Sequence, residues 1–153
     1  MLLSRSLAEA LAAEFRALGR TIVFTNGCFD ILHIGHTSYL EAAKKLGDIL
    51  IVGVNSDDSV RRLKGASRPV NTQYDRATLL SSLRAVDYTC IFTEDTPLKL
   101  ITAIQPDILV KGGDYTPETI VGADIVRERG GHIVVLPFIE GKSTTRILER
   151  IHS

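Results

Sequence analysis

The sequence predicts an α/β domain: a parallel sheet of about five strands flanked by helices. Three observations carry that expectation. Short runs rich in Ile, Val and Leu recur with little polar alternation, as strands do when both faces of their sheet are covered. Segments of helical spacing with capping residues separate them, and repeated β–α alternation implies parallel strands joined by right-handed crossovers. Glycines and polar or basic residues gather just after the runs, where open parallel sheets hold their ligands.

Taken in order, residues 4–18 carry Leu7, Leu11, Phe15 and Leu18 on one helical face, with Gly19 placed to close the helix. Residues 1–19 are therefore expected to form a packing helix laid against a core spanning 20–151. Strands are expected at 21–25, 48–54, 88–92, 108–111 and 132–136, and a helix over 36–46. Thr72 with Asp75 reads as a capping box. Thr96-Pro97 and Thr116-Pro117 each set a hydroxyl before a first-turn proline. Residues 65–71, with Pro69, read as one functional loop. No repeat or linker divides the 153 residues, so 1–153 reads as a single domain.

Composition excludes several classes of function. The 18 basic side chains are balanced by 18 acidic ones, which leaves no global positive field to draw in nucleic acid or an anionic membrane. Cys28 and Cys90 lie far apart with no CxxC pair, so a disulfide framework or zinc knuckle is unsupported and a reduced, cytoplasmic setting is expected. The longest apolar stretch, 49–54, is far too short to span a membrane. Met1-Leu2-Leu3-Ser4-Arg5 lacks the apolar core and cleavage site of a signal peptide.

The chemistry-bearing residues sit after the strands. His33 and His36, three apart at a helix opening, point the same way beside backbone N–H groups, an arrangement suited to phosphate. Gly35 between them permits close approach of a base or phosphate. The bland alternative is a pair of capping or surface histidines. A zinc site from Cys28, Asp30, His33 and His36 lacks the usual ligand spacing. Gly141-Lys142-Ser143 imitates the end of a P-loop, but the required upstream glycine is Leu136, followed by Pro137, which withholds an N–H. What survives is a helix opened by Ser143, Thr144 and Thr145, which offers hydroxyls and N–H groups to an anion or is a plain cap.

From Arg61 to Arg84 the chain holds Arg61, Arg62, Lys64, Arg68, Arg76 and Arg84 against the single acid Asp75. Arg61 and Arg62 read as a solvated helix face; Lys64 and Arg68, flanking the 65–71 loop, read as substrate contacts. Asp30 and Asp114 are placed to hold a sugar hydroxyl or hydrated magnesium, or else to shape turns. Cys28 reads as a packed thiol, since no base is identified to activate it. The GxGxxG and GxSxG patterns are absent.

Gly27-Cys28-Phe29-Asp30-Ile31-Leu32-His33-Ile34-Gly35-His36 resembles the GxFDxxHxGH signature of the nucleotidyltransferase superfamily that includes the cytidylyltransferases. Asn55-Ser56-Asp57-Asp58-Ser59-Val60, Arg62-Leu63-Lys64-Gly65, Arg68-Pro69-Val70-Asn71 and Glu94-Asp95-Thr96-Pro97 extend the likeness. So do Leu109-Val110-Lys111-Gly112-Gly113-Asp114-Tyr115 and Gly141-Lys142-Ser143-Thr144-Thr145. The ordered set resembles the D-glycero-D-manno-heptose 1-phosphate adenylyltransferases, which make ADP-heptose for lipopolysaccharide, over about residues 21–151.

That resemblance implies a Rossmann-like domain of nucleotidyltransferase type that moves an adenylyl group from ATP to a heptose 1-phosphate. It implies catalytic roles for His33, His36 and Lys64. It assigns nucleotide binding to Asn26, Gly27, Cys28, Phe29, Gly35, Lys111, Gly112, Asp114, Ser143, Thr144 and Thr145. Asp30, Asn55 and Arg76 fall on the sugar-phosphate side. Mg²⁺ would arrive with ATP rather than in a protein cage. In many bacteria such a domain is fused to a sugar kinase; no kinase half lies within these residues, which implies a separate kinase. Dimers are common among relatives, so a homodimer is expected. Where the glycerol branch carries an arginine before its Ser-Thr-Thr, this chain reads Phe138-Ile139-Glu140-Gly141-Lys142, which disfavours glycerol phosphate. The competing readings are a cytidylyltransferase acting on a polyol or sugar phosphate and a nucleotide-sensing domain without turnover.

Overall fold

The computed structural model describes residues 1–113, 115–137 and 141–152, with the backbone alone at His152. Its elements run β1 (Leu2–Leu3), α1 (Arg5–Ala17), β2 (Ile22–Gly27), α2 (Ile34–Lys44), β3 (Ile49–Asn55), α3 (Asp57–Lys64) and α4 (Gln73–Ser81). There follow β4 (Tyr88–Phe92), α5 (Leu98–Ile104), β5 (Ile108–Gly112), a 3-10 turn (Pro117–Thr119), α6 (Ala123–Glu128), β6 (His132–Leu136) and α7 (Thr144–His152). The strands form one six-stranded sheet in the order β1-β4-β3-β2-β5-β6, every pair parallel.

The parallel α/β class predicted from the apolar runs is therefore the observed one, with one strand more than expected. That strand is β1, which pairs Leu2 with Thr89 and Leu3 with Cys90. Two residues carry no readable periodicity, so only the tertiary pairing reveals it. The other strands fall within a residue or two of their expected bounds; β2 runs on to Asn26 and Gly27, which carries these residues to the carboxyl rim of the sheet.

Both sheet faces are covered. Ile22, Phe24, Ile51 and Leu109 pack with α1, α5 and α6, while Val23, Leu50, Val52, Val54 and Val110 pack with α2 and α4. Each of these fully buried side chains stabilises the fold by about 1.5–3 kcal/mol. On α1 the contact face differs from the expected one. Ala8 and Ala12 are fully buried with Leu11 and Phe15 packed beside them, whereas Leu7 and Leu18 are 46% and 67% exposed. Small residues let this helix approach the core closely, and the leucines flank the contact. Ser4 caps α1 by accepting from Leu7 N, and Gly19 closes it at φ +69°.

Cap expectations divide. Thr72 caps α4 through Asp75 N at 3.3 Å. Thr96 makes no cap: α5 starts after Pro97 without a side-chain hydrogen bond. Thr116-Pro117 opens only the 3-10 turn, and α6 begins later, after Gly122 at φ +85°. Among the described residues no helix is long and apolar enough to cross a membrane.

The chain leaves β2 toward β3 and β4 on one side, then returns to β5 and β6 on the other, so the strand order reverses at β2. Parallel sheets open their ligand crevice at such a point. Here β2 stays in register with β3 through Gly27 opposite Val54, but its pairing with β5 ends at Phe24 opposite Leu109. Beyond that pair the two strands diverge, and Asn26 and Lys111 stand in the opening.

Candidate active site

A cleft of ≈ 670 Å³ occupies this crevice. Its walls come from the loop after β2, the start of α2, the end of β3 and the end of α3, the 65–71 loop, the end of β5 and the start of α7. At that volume the cleft lies within the range of small-molecule sites, about 300–1000 Å³.

The loop after β2 is shaped by a non-glycine residue in the left-handed region, Phe29 at φ +47°. Its ring folds back over Gly27, where an added Cβ would stand 2.9 Å from Phe29 Cε2. The same ring meets His36 edge-on, with centroids 5.2 Å apart. Gly27 is small because the aromatic ring occupies the space a side chain would need.

α2 begins two residues earlier than expected, which makes His33 its N-cap. His33 Nδ1 accepts from Gly35 N at 3.2 Å, so the ring proton resides on Nε2. His36, one turn in, stacks on His33 at 3.8 Å between centroids. Burial and then the neighbouring His33 push the His36 imidazole down to about 4. Burial and then Lys142 lower His33 too. Both rings are thus neutral near pH 7, and each keeps an N–H donor. His36 Nδ1 is buried with no hydrogen-bond partner. An added Cβ at Gly35 would stand 2.9 Å from the His33 ring and 3.5 Å from Lys142 Cβ. Gly35 is therefore small for the histidine itself, and its neighbourhood joins α2 to the α7 side of the cleft.

At that opposite side Ser143 Oγ accepts from Arg146 N at 3.2 Å and caps α7. Thr144 Oγ1 donates to Ile31 O at 3.2 Å, tying α7 to the loop that carries the histidines. Both helices thus aim their amino ends, each carrying roughly half a positive charge, into one cleft. His33, His36, Ser143, Thr144 and Thr145 share its wall.

Cations surround the same space. Lys64, Arg68, Lys111 and Lys142 all line it. Lys111 Nζ donates to Asn26 Oδ1 at 2.7 Å, and burial lowers its ammonium to about 8. Tyr115 presents its ring 5.8 Å from that ammonium. Burial pushes the Cys28 thiol up despite nearby Lys64, Arg76 and Arg68, which accords with a packed, protonated thiol.

Two expectations on the sugar-phosphate side are corrected. Arg76 is fully buried and does not reach the cleft. Its guanidinium donates to Asn71 O at 3.1 Å, Cys28 O at 2.6 Å, Asn55 O at 2.7 Å and Asp57 Oδ1 at 2.9 Å. It is a positioning residue that joins the loop after β2, the end of β3, the start of α3 and the 65–71 loop. Asp30 reaches the cleft wall, but its carboxylate is spent on Arg68 Nε and on Val70 N and Asn71 N. Burial pushes this carboxyl up, yet the two N–H groups and the Arg68 guanidinium together hold it below its usual range. Both oxygens serve the loop, so neither is open to a sugar hydroxyl. Asn55, the third of the group, lines the cleft while its amide donates to Ser59 Oγ at 3.0 Å.

The remaining expected residues, Asn26, Gly27, Cys28, Phe29, Gly35, His33, His36, Lys64, Lys111, Gly112 and 143–145, all line the cleft. Asp114 and 138–140 lie outside the described residues. Sequence reasoning missed Tyr39, Leu63 and Tyr115. Tyr39, whose hydroxyl pairs with Thr25 Oγ1 at 2.6 Å, sits three residues past His36, a spacing that would have placed it on the same face. Arg61 and Arg62 stay exposed, bonded to Asp58 and Asp95.

Comparison with known proteins places this architecture. The cytidylyltransferase-like family profile matches residues 24–150. Curated relatives include proteins named bifunctional protein HldE. The one from Trichlorobacter lovleyi is 59% identical over 95% of this chain and 29% of its own length. The one from Syntrophotalea carbinolica is 55% identical over 97% of this chain and 30% of its own. The chain therefore spans about 30% of the length of such relatives. Among solved structures, the lipopolysaccharide core biosynthesis protein from Thermoplasma volcanium shares 31% identity at a TM-score of 0.64, over 81% of this chain and all of that one. A pantoate-beta-alanine ligase from Francisella tularensis, at 16% identity and a TM-score of 0.64 over 97% of this chain and 75% of its own, shares the fold. With the cleft built as described and the profile covering most of its walls, the chain belongs to the cytidylyltransferase-like family and is a nucleotidyltransferase.

Proposed function

We propose that this domain transfers the adenylyl group of ATP to D-glycero-D-manno-heptose 1-phosphate, releasing pyrophosphate and forming ADP-heptose for surface heptose. The observation that carries the reading is the convergence of the α2 and α7 amino ends, with His33, His36, Thr144 and Thr145, on one cleft lined by Lys64, Lys111 and Lys142. Helix amino ends, neutral imidazole N–H donors and ammonium groups are what a triphosphate requires. The choice of adenine and of heptose is supported by the ordered motifs shared with the heptose 1-phosphate adenylyltransferases, by the HldE relatives and by the similar lipopolysaccharide core protein.

The acceptor phosphate is largely ionised near neutrality, because a monoester's second pKa is about 6. Its oxygen attacks the α-phosphorus in line, and the bond from that phosphorus to the pyrophosphate oxygen breaks. No general base is needed, so the protein's work is positioning and charge stabilisation. His33 Nε2–H and the His36 ring donate to phosphate oxygens, Lys64 faces the α-phosphate, and the α7 opening holds the distal phosphates. Mg²⁺ enters as part of the ATP substrate and offsets triphosphate charge. The Asp30 carboxylate is already committed to Arg68 and the loop, which fits a metal carried by the nucleotide better than one held in a protein cage.

The test is pyrophosphate release across ATP, CTP, GTP and UTP against heptose 1-phosphate, hexose 1-phosphates and glycerol 3-phosphate. The reading expects ATP with heptose 1-phosphate to be preferred. Preference for CTP with a polyol phosphate supports the cytidylyltransferase alternative, and ATP binding without release supports a sensor.

A further inference from the structure

A second, smaller cavity of ≈ 210 Å³ opens beside the cleft and shares Asn26, Asn55, Leu63, Lys111 and Tyr115 with it. Its remaining wall is Asp95, Thr96 and Pro97 after β4, together with residues 119–121. The two cavities differ in chemistry. The cleft holds the helix openings and Lys64, Arg68 and Lys142; the side cavity has Lys111 as its one cation among the described residues, on the shared wall, and a carboxylate beyond it. A carboxylate disfavours a phosphate but accepts hydrogen bonds from hydroxyl groups.

The polar groups of that far wall are held ready. Arg62 Nε donates to Asp95 Oδ1 at 2.6 Å and Arg62 Nη2 to Thr93 O at 2.9 Å, so the exposed carboxylate is held through one oxygen, and its Oδ2 has no partner among the described residues. Thr96 does not cap α5, and its hydroxyl has no hydrogen-bond partner among the described residues. A volume of ≈ 210 Å³ is below that of a complete small-molecule site and suits one moiety of a larger substrate.

We infer that the side cavity receives the polyhydroxylated tail of the phosphate acceptor, with Asp95 and Thr96 reading its hydroxyls and the acceptor phosphate seated at the shared wall beside Lys111. The assignment rests on the transferase reading above and adds a specificity-determining wall to it. A tail held there leaves its phosphate facing the nucleotide cleft, and length selection follows from how far the tail reaches toward Asp95.

The experiment measures pyrophosphate release by the wild type, Asp95→Ala and Thr96→Val, with MgATP and either heptose 1-phosphate or a hexose 1-phosphate. Losing one hydrogen bond to a substrate hydroxyl is expected to raise the heptose phosphate KM by about two- to tenfold. The ATP KM should stay within about twofold, and the preference for heptose over hexose should fall. Both side chains are on the surface, so thermal unfolding midpoints should match the wild type, and Thr96→Val keeps the test open if Asp95→Ala is unstable. If the wild type turns over but both variants keep its sugar preference, or lose ATP affinity instead, the side-cavity assignment is overturned while the transferase reading stands. If the wild type releases no pyrophosphate with any sugar 1-phosphate, the transferase reading fails and takes this assignment with it.

Discussion

Replacing His36 with alanine separates the catalytic contribution of this imidazole from its cost to the fold. In the free protein the ring is partly buried, its Nδ1 has no partner, and it is held by the His33 stack at 3.8 Å and the Phe29 edge at 5.2 Å. Each ring contact contributes about 0.5–1.5 kcal/mol beyond area burial, so the variant should lose about 1–3 kcal/mol at pH 7 and remain folded. On falling pH the unfolded chain takes up a proton near 6.5, while the native ring resists until about 4. Stability is therefore fully present above pH 6.5 and falls as pH drops toward 4, by about 3 kcal/mol across that window. His36→Ala removes this acid-side loss, so its urea midpoint should decline less between pH 7 and pH 4.5. Catalytically, deletion of one preorganised donor costs about 10²–10³ in kcat. Single-turnover pyrophosphate release and urea titrations at the two pH values read both effects. Near wild-type turnover would refute the donor role, and an unchanged acid-side loss would refute the buried neutral imidazole.

Three other outcomes follow from the same geometry. Lys111 loses its proton as pH rises through about 8, so kcat/KM should fall on the alkaline side, and Lys111→Met should lower activity and flatten that limb; a wild-type alkaline limb in Lys111→Met would contradict it. Arg76→Ala leaves backbone carbonyls and Asp57 without their buried partner, which should cost about 3–5 kcal/mol and lower kcat/KM for both substrates; an effect confined to the acceptor KM at unchanged stability would restore direct contact. Direct in-line transfer should invert a chiral ATP α-phosphorothioate, whereas net retention would demand a covalent intermediate, with Cys28 the thiol at hand.

Much of the fold was legible because parallel strands covered on both faces leave runs such as 49–54 without polar alternation. The helix-opening histidines and the Ser-Thr-Thr segment were also legible, since each is a local pattern. What escaped depends on distant parts of the chain meeting. β1 is too short to show a period and exists through its pairing with Thr89 and Cys90. Arg76 reads as a ligand cation among its basic neighbours, and only the fold discloses that three carbonyls and Asp57 consume it. Asp30 likewise reads as a free carboxylate until Arg68 and the 65–71 loop fold onto it. The α1 contact face misleads because apolar bulk points to Leu7 and Leu18, while close packing selected Ala8 and Ala12.

The central claim is that one triphosphate spans the amino ends of α2 and α7. A crystal structure with a non-hydrolysable ATP analogue tests it most directly. Phosphate oxygens are expected within hydrogen-bond reach of a His33 or His36 ring nitrogen at one end and of Thr144 or Thr145 at the other. A triphosphate seated against one helix alone, with the other opening facing solvent, would contradict it.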